Sequence, residues 1–206
     1  KVTKGTPVAF RDSAYPTASP SPHEGELFYN SSSGAFQYLG LSAGAWSSGG
    51  NLNTTRQQSA KGTAGIQTAA VATGGKAGST NYAVTEQYNG TAWSEVNDLN
   101  TARQAAASCA TSNTALVIAG GNTPTVLANT ESFNGSSWSE VNDLNTARVQ
   151  FAGAGTQAAG LVFGGNPGAV AVTELWNGTS WTEVNDLNEG LANNSGAGLQ
   201  TAAFMV

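Results

Sequence analysis

The residues able to do chemistry are few, and most of them recur on a fixed period. Glu86, Glu131 and Glu174 form one series, Glu95, Glu140 and Glu183 a second, and Asp98, Asp143 and Asp186 a third, accompanied by Arg56, Arg103 and Arg148. A glycosidase needs two carboxylates facing each other across a substrate, and these acids are used once per copy instead. An Arg that recurs with a Glu on a neighbouring strand reads as an inter-strand or inter-blade ion pair, its fork holding a carboxylate through two hydrogen bonds. Glu189 departs from the repeat where the other copies have Thr, so it is the acid within the copies left open to another role.

The remaining inventory argues against catalysis. His23 is the single histidine, which removes a Ser-His-Asp arrangement, multi-histidine metal centres and most general-base schemes. Cys109 is the single cysteine; it excludes an intrachain disulfide and, among the small residues of RQAAASCA, reads as a buried apolar thiol. The Asp and Asn oxygens of the VNDLN turns suit calcium in type, but their spacing matches no EF-hand and Asx-turn hydrogen bonding accounts for them. No metal, cofactor or catalytic residue is assigned, and the chain reads as no enzyme.

The elements that carry these residues are written in triplicate. EQYNGTAWSEVNDLNTAR begins at Glu86, ESFNGSSWSEVNDLNTAR at Glu131 and ELWNGTSWTEVNDLN at Glu174, and a degraded copy, AGAWSSGGNLNTTR, ends at Arg56. Trp46, Trp93, Trp138 and Trp181 stand 47, 45 and 43 residues apart, a period typical of propeller blades. Each full copy divides into four short apolar runs. In one they are RQAAASCA (103–110), TALVIAGG (114–121), NTESFNG (129–135) and SWSEVN (137–142), called here strands a to d.

Gly74-Gly75, Gly120-Gly121 and Gly164-Gly165 close strand b, where the chain must leave a crowded axis. Asn89-Gly90, Asn134-Gly135 and Asn177-Gly178 separate strands c and d, and Asn-Gly predicts a two-residue type I′ hairpin. These asparagines also form sequons, which turn chemistry explains without glycosylation. The repeated Trp reads as packing between sheets rather than as a sugar platform. Trp176, in the place of Tyr88 and Phe133, reads as an aromatic exchange at a core position.

An inner strand ending in Gly-Gly, a Glu-x-aromatic strand and a Trp shortly after it resemble the kelch repeat, which implies a propeller of four-stranded blades. NGTSWTEVNDLN, NTAR and GAGTQAAGLVFGG resemble kelch-like repeat proteins of marine tailed bacteriophages, and GELFYNSSSGAFQYLG (25–40) resembles segments of phage tail and fibre proteins. The resemblance covers residues 43–206 and implies an all-β, kelch-like β-propeller in a virion appendage.

The domain reading is an extended, Pro-rich arm over 1–25 and a propeller over 26–206. Blades are expected at about 55–97, 102–142 and 147–185, with a fourth split between 26–50 and 190–206. Sharing one blade between the two ends would close four blades within one chain and protect the sheet edges. The alternatives are a fragment of a larger propeller and two chains exchanging halves. The chain begins with Lys1 rather than Met, in keeping with processing or with a portion of a longer product.

Charge and loop variation bear on partners. A net charge of −5 with only eight Lys and Arg does not fit nucleic-acid binding, which requires phosphate neutralisation. No apolar run of about 18 residues marks a membrane span, and no n-region with h-region marks a signal peptide. The b–c loops, 75–84, 121–129 and 165–172, differ while the d–a loops stay nearly fixed, and a rigid scaffold with varied loops makes a recognition surface. Asn81, Tyr82, Asn122 and Asn166 are the candidate ligand contacts. The expected role is a non-enzymatic virion appendage that binds host-surface glycan or another virion protein, with the arm anchoring it to virion neighbours and homo-oligomerisation open. A purely structural spacer and a glycan-degrading enzyme are the alternatives.

Overall fold

The structure, a computed structural model, describes residues 27–30, 35–38, 49–62 and 65–205. The arm 1–25, with His23, and the Trp46 copy's tryptophan lie outside the described residues. Two compact units divide the chain, Lys1–Ser48 and Gly49–Val206. In the first, Leu27–Asn30 pairs antiparallel with Ala35–Tyr38, the register running from Leu27↔Tyr38 to Asn30↔Ala35. The aromatic-rich runs around Asn30–Gly34 therefore form the expected hairpin.

The second unit is all-β, and the described residues contain no helix. Its repeats fold into antiparallel sheets. The first contains Gly65–Ile66, Ala69–Thr73, Thr85–Tyr88 and Trp93–Val96, in that order across the sheet. The second contains Ala107–Ser112, Ala115–Ala119, Thr130–Phe133 and Trp138–Val141, with Lys61–Gly62 added in parallel beside Ala107–Ser108. The third contains Ala152–Gly155, Gly160–Phe163, Thr173–Trp176 and Trp181–Val184. Gly196–Leu199 and Ala202–Met205 then pair as a hairpin, the strands a and b of a further copy.

The first strands of successive copies lie against one another, and small side chains permit it. Ala107–Ser112 contacts Ala152–Gly155, which contacts Gly196–Leu199, which in turn contacts Lys61–Gly62. A Cβ on Gly153 would stand 2.5 Å from the Ser108 carbonyl oxygen, so only glycine fits this approach. The larger apolar residues cluster with small residues of the strand Ala107–Ser112: Val117, Phe151, Trp176 and Trp181 with Ala107, and Leu116, Ile118, Phe133 and Trp138 with Ala110. Cys109, 1% exposed, sits in the first cluster, in agreement with its reading as an apolar thiol.

Two local expectations are corrected. Strand a begins at Ala107 rather than Arg103, because Arg103 is drawn away to pair with Glu131. The Asn-Gly turns are not two-residue type I′ hairpins. Tyr88 pairs with Trp93, leaving four loop residues, and only glycine, Gly90 at 92°, has positive φ there. The Asn89 side-chain oxygen instead accepts the N–H groups of Thr91 and Ala92, both at 2.9 Å, and Asn134 and Asn177 do the same in their copies. The diglycines lie just beyond strand b with both φ positive. A Cβ on Gly120 would meet the Arg148 carbonyl oxygen at 2.6 Å, so the crowding there comes from the next copy's d–a crossing.

Candidate functional site

One repeated Arg and one repeated Glu per copy act as a structural fastener. Glu86, Glu131 and Glu174 are buried, and their carboxylates pair with Arg56 at 2.8 Å, with Arg103 at 2.6 Å and with Arg148. Each carboxylate also accepts backbone N–H groups from the incoming d–a segment: Asn53 and Thr54, Asn100 and Thr101, Asn145 and Thr146. Arg103 further donates to the carbonyls of Gly120 and Asn129. One ion pair per copy thus ties strand c, the strand b exit and the linker from the preceding copy together. The expected Arg–Glu pairing is present in all three copies.

Two of the repeated tryptophans bridge sheets, while Trp93 is half-buried and donates its indole N–H to the Gly50 carbonyl. Trp138 donates its indole N–H to Thr85 Oγ1 of the preceding sheet, and Trp181 to Thr130 Oγ1, both at 3.1 Å. Neither is free to stack on a ligand, being 7% and 6% exposed. Within each sheet the same residue packs on its cross-strand aromatic partner, as Phe133 and Trp138 do at 4.9 Å between ring centroids. Trp176 is 1% exposed and pairs with Trp181, in agreement with an aromatic exchange in the core. The Asp98 and Asp143 carboxylates accept the N–H groups of Thr85 and Thr130, and among the described residues no group of His, Cys, Asp and Glu is arranged to hold a metal. Glu189 is exposed to solvent.

A polar depression forms where the copies converge. Gln58, Ala105, Gln150 and Asn193 occupy the same place just before strand a, and all four have positive φ, between 51° and 62°. Their backbones form a relay: Ala105 N–H donates to Gln58 C=O, Gln150 to Ala105 and Asn193 to Gln150, at 2.7, 2.9 and 2.8 Å. The left-handed turn at each position lets consecutive copies bond to one another. Outside this relay, each b–c loop closes back on its own copy through the bridges Gln57↔Lys76, Gln104↔Asn122 and Val149↔Asn166. Gln58, Lys76, Gln104, Ala105, Asn122, Val149 and Gln150 together line a cavity of about 250 Å³.

The depression divides the sequence candidates. Asn122 lines it directly. Asn166 stands behind it, its amide donating to Gln150 Oε1 at 2.8 Å, and Asn81 braces it by donating to the Asn122 carbonyl at 3.2 Å. Tyr82 does not line it; its backbone instead joins Gly75 to Arg103. Lys76, Gln58, Gln104 and Gln150 were missed from sequence. The available signal was position: Lys76 directly follows a diglycine, where the other two loops have Asn122 and Asn166.

No protein-family model matches the chain, and no curated protein matches it.

Proposed function

We propose that this chain is a non-catalytic recognition module, a kelch-like β-propeller that binds its ligand in the depression at the centre of the b–c loop face. The observation that carries the reading is that lining. Four amide side chains and one ammonium converge on a cavity of about 250 Å³, built on a scaffold whose buried Glu86, Glu131 and Glu174 are held in ion pairs. A few convergent polar groups in a concavity of a rigid fold are one mark of a ligand site. Hydrolysis has no support in it, since no carboxylate is among the lining residues.

The ring itself is proposed to hold four blades, the last assembled from residues 26–50 and 190–206. Supporting this, Gly196–Leu199 lies against both Ala152–Gly155 and Lys61–Gly62, as the fourth member of a circle would. Thr173 occupies the register position of Thr85 and Thr130. Resemblance to kelch-like proteins of tailed phages supports a place on a virion, with arm 1–25 as the anchor and host-surface glycan or a virion protein as ligand.

A glycan array probed with the full chain tests the binding function, with Asn122→Ala as the control for the depression. Saturable binding that the substitution abolishes supports the module; a blank array together with an inert face in assembled particles would reduce the protein to a spacer. Light scattering tests the ring, where a monomeric mass supports closure within one chain and a dimer supports exchanged halves.

A further inference from the structure

The three quadrants of the depression are built alike but carry different chemistry. Lys76, Asn122 and Asn166 each open a b–c loop and each bridge to the residue preceding the relay. Asn166 has its amide committed to Gln150, and the Asn122 carbonyl accepts from both Gln104 N–H and Asn81. Lys76 has no carboxylate partner: the ion pairs among the described residues are those of Arg56, Arg103 and Arg148. Lys76, a half-buried residue, is thus left without an ion-pair partner among the described residues, in a chain whose net charge is −5.

A second group in the same cavity lacks a partner. Gln104 Oε1 is buried and accepts no hydrogen bond, an arrangement that costs stability unless a ligand donor completes it. A turn of the amide exchanges its oxygen and nitrogen, so Gln104 can meet a hydroxyl as acceptor or as donor. Gln58, also in the lining, is exposed. No aromatic ring lines the cavity, so a neutral sugar that depends on stacking gains little here. The volume lies below the roughly 300 Å³ at which drug-sized sites begin, which suits one sugar ring rather than a longer chain.

We infer that the central depression is a subsite for a single carboxylate-bearing sugar, with Lys76 Nζ receiving the carboxylate and the amides of Gln58, Gln104 and Gln150 receiving the hydroxyls. This rests on the recognition reading above and names its ligand class. The absence of a lining carboxylate favours the anion twice, by removing repulsion and by leaving Lys76 without an ion-pair partner there.

The test is a titration of the full chain with D-glucuronate, D-glucose and acetate, followed by calorimetry or ligand-observed NMR. Glucuronate is expected to bind at least tenfold more tightly than either of the others. Lys76→Gln should reduce glucuronate to the level of glucose, Lys76→Arg should retain most of the binding, and thermal melting should show both variants folded. Acetate equal to glucuronate would overturn the sugar assignment in favour of a bare anion site. Glucose equal to glucuronate, or glucuronate binding unchanged in Lys76→Gln, would overturn the acidic class. The glycan array separates the two levels: neutral glycans bound through Asn122 would sink this inference and leave the recognition module standing, whereas a blank array with no glucuronate binding would sink both.

Discussion

Trp138 donates its indole N–H to the hydroxyl of Thr85, 53 residues earlier and one sheet away. The same hydroxyl lies 2.9 Å from Thr73 Oγ1 on the adjacent strand. A side chain that begins strand c therefore receives the outer strand of the next copy, and Trp181 with Thr130 repeats the arrangement. Thr85→Val preserves shape but leaves the buried indole unpaired, which costs about 1–3 kcal/mol. Urea unfolding should show that loss. Trp138→Phe also loses buried ring packing, so its cost on the Thr85→Val background should fall short of its cost alone by the worth of the hydrogen bond; fully additive losses would mean that the indole N–H contributes nothing.

The buried Arg103–Glu131 pair should be expensive to break from either side. Glu131→Gln leaves an uncompensated guanidinium and weakens the acceptor for Asn100 and Thr101, so a loss of about 3–5 kcal/mol is expected. Replacing both partners by apolar residues is often neutral for an isolated buried pair. Here Arg103→Met with Glu131→Leu should remain destabilised, because the linker N–H groups stay buried without an acceptor. Recovery to wild-type stability in the double variant would show that the linker bonds carry no weight.

Glu86 sets a pH limit on stability. Burial pushes its carboxyl upward, but the N–H groups of Asn53 and Thr54 and the Arg56 guanidinium outweigh that and hold it below its ordinary value of 4.5. With a lowered folded value, its contribution is fully present above the unfolded value and is lost as pH falls through the folded one. The urea midpoint should be nearly level from pH 7 to about 5 and decline below about 4.3, the reference for an unfolded Glu. Glu86→Gln should be less stable at neutral pH and show a shallower acid decline; an unchanged slope would count against the assignment.

Cys109 should be silent in the native state. Burial pushes its thiol up to about 12, so the nucleophilic thiolate is scarce and sheltered. Labelling with an aromatic disulfide reagent at pH 8 should proceed only through unfolding and accelerate with urea. Modification at the rate of a free thiol in buffer alone would contradict the buried position.

The tryptophan period, the four apolar runs and the recurring Arg and Glu determined the all-β class, the sheet content of each copy and the ion pairs, because these are set by short-range pattern and by repetition. The Asn-Gly turns show where local pattern fell short. The dipeptide suits a tight turn, yet the Asn89 side chain captures two N–H groups and a four-residue loop results. Only the tertiary structure revealed the central depression. Gln58, Gln104 and Gln150 are ordinary polar residues in sequence, and they meet because the left-handed relay through Gln58, Ala105 and Gln150, with Gln104 directly before Ala105, bonds one copy to the next. Repetition announces what every copy shares; the depression arises where copies converge and differ, as Lys76 differs from Asn122 and Asn166, and convergence is a property of the folded chain.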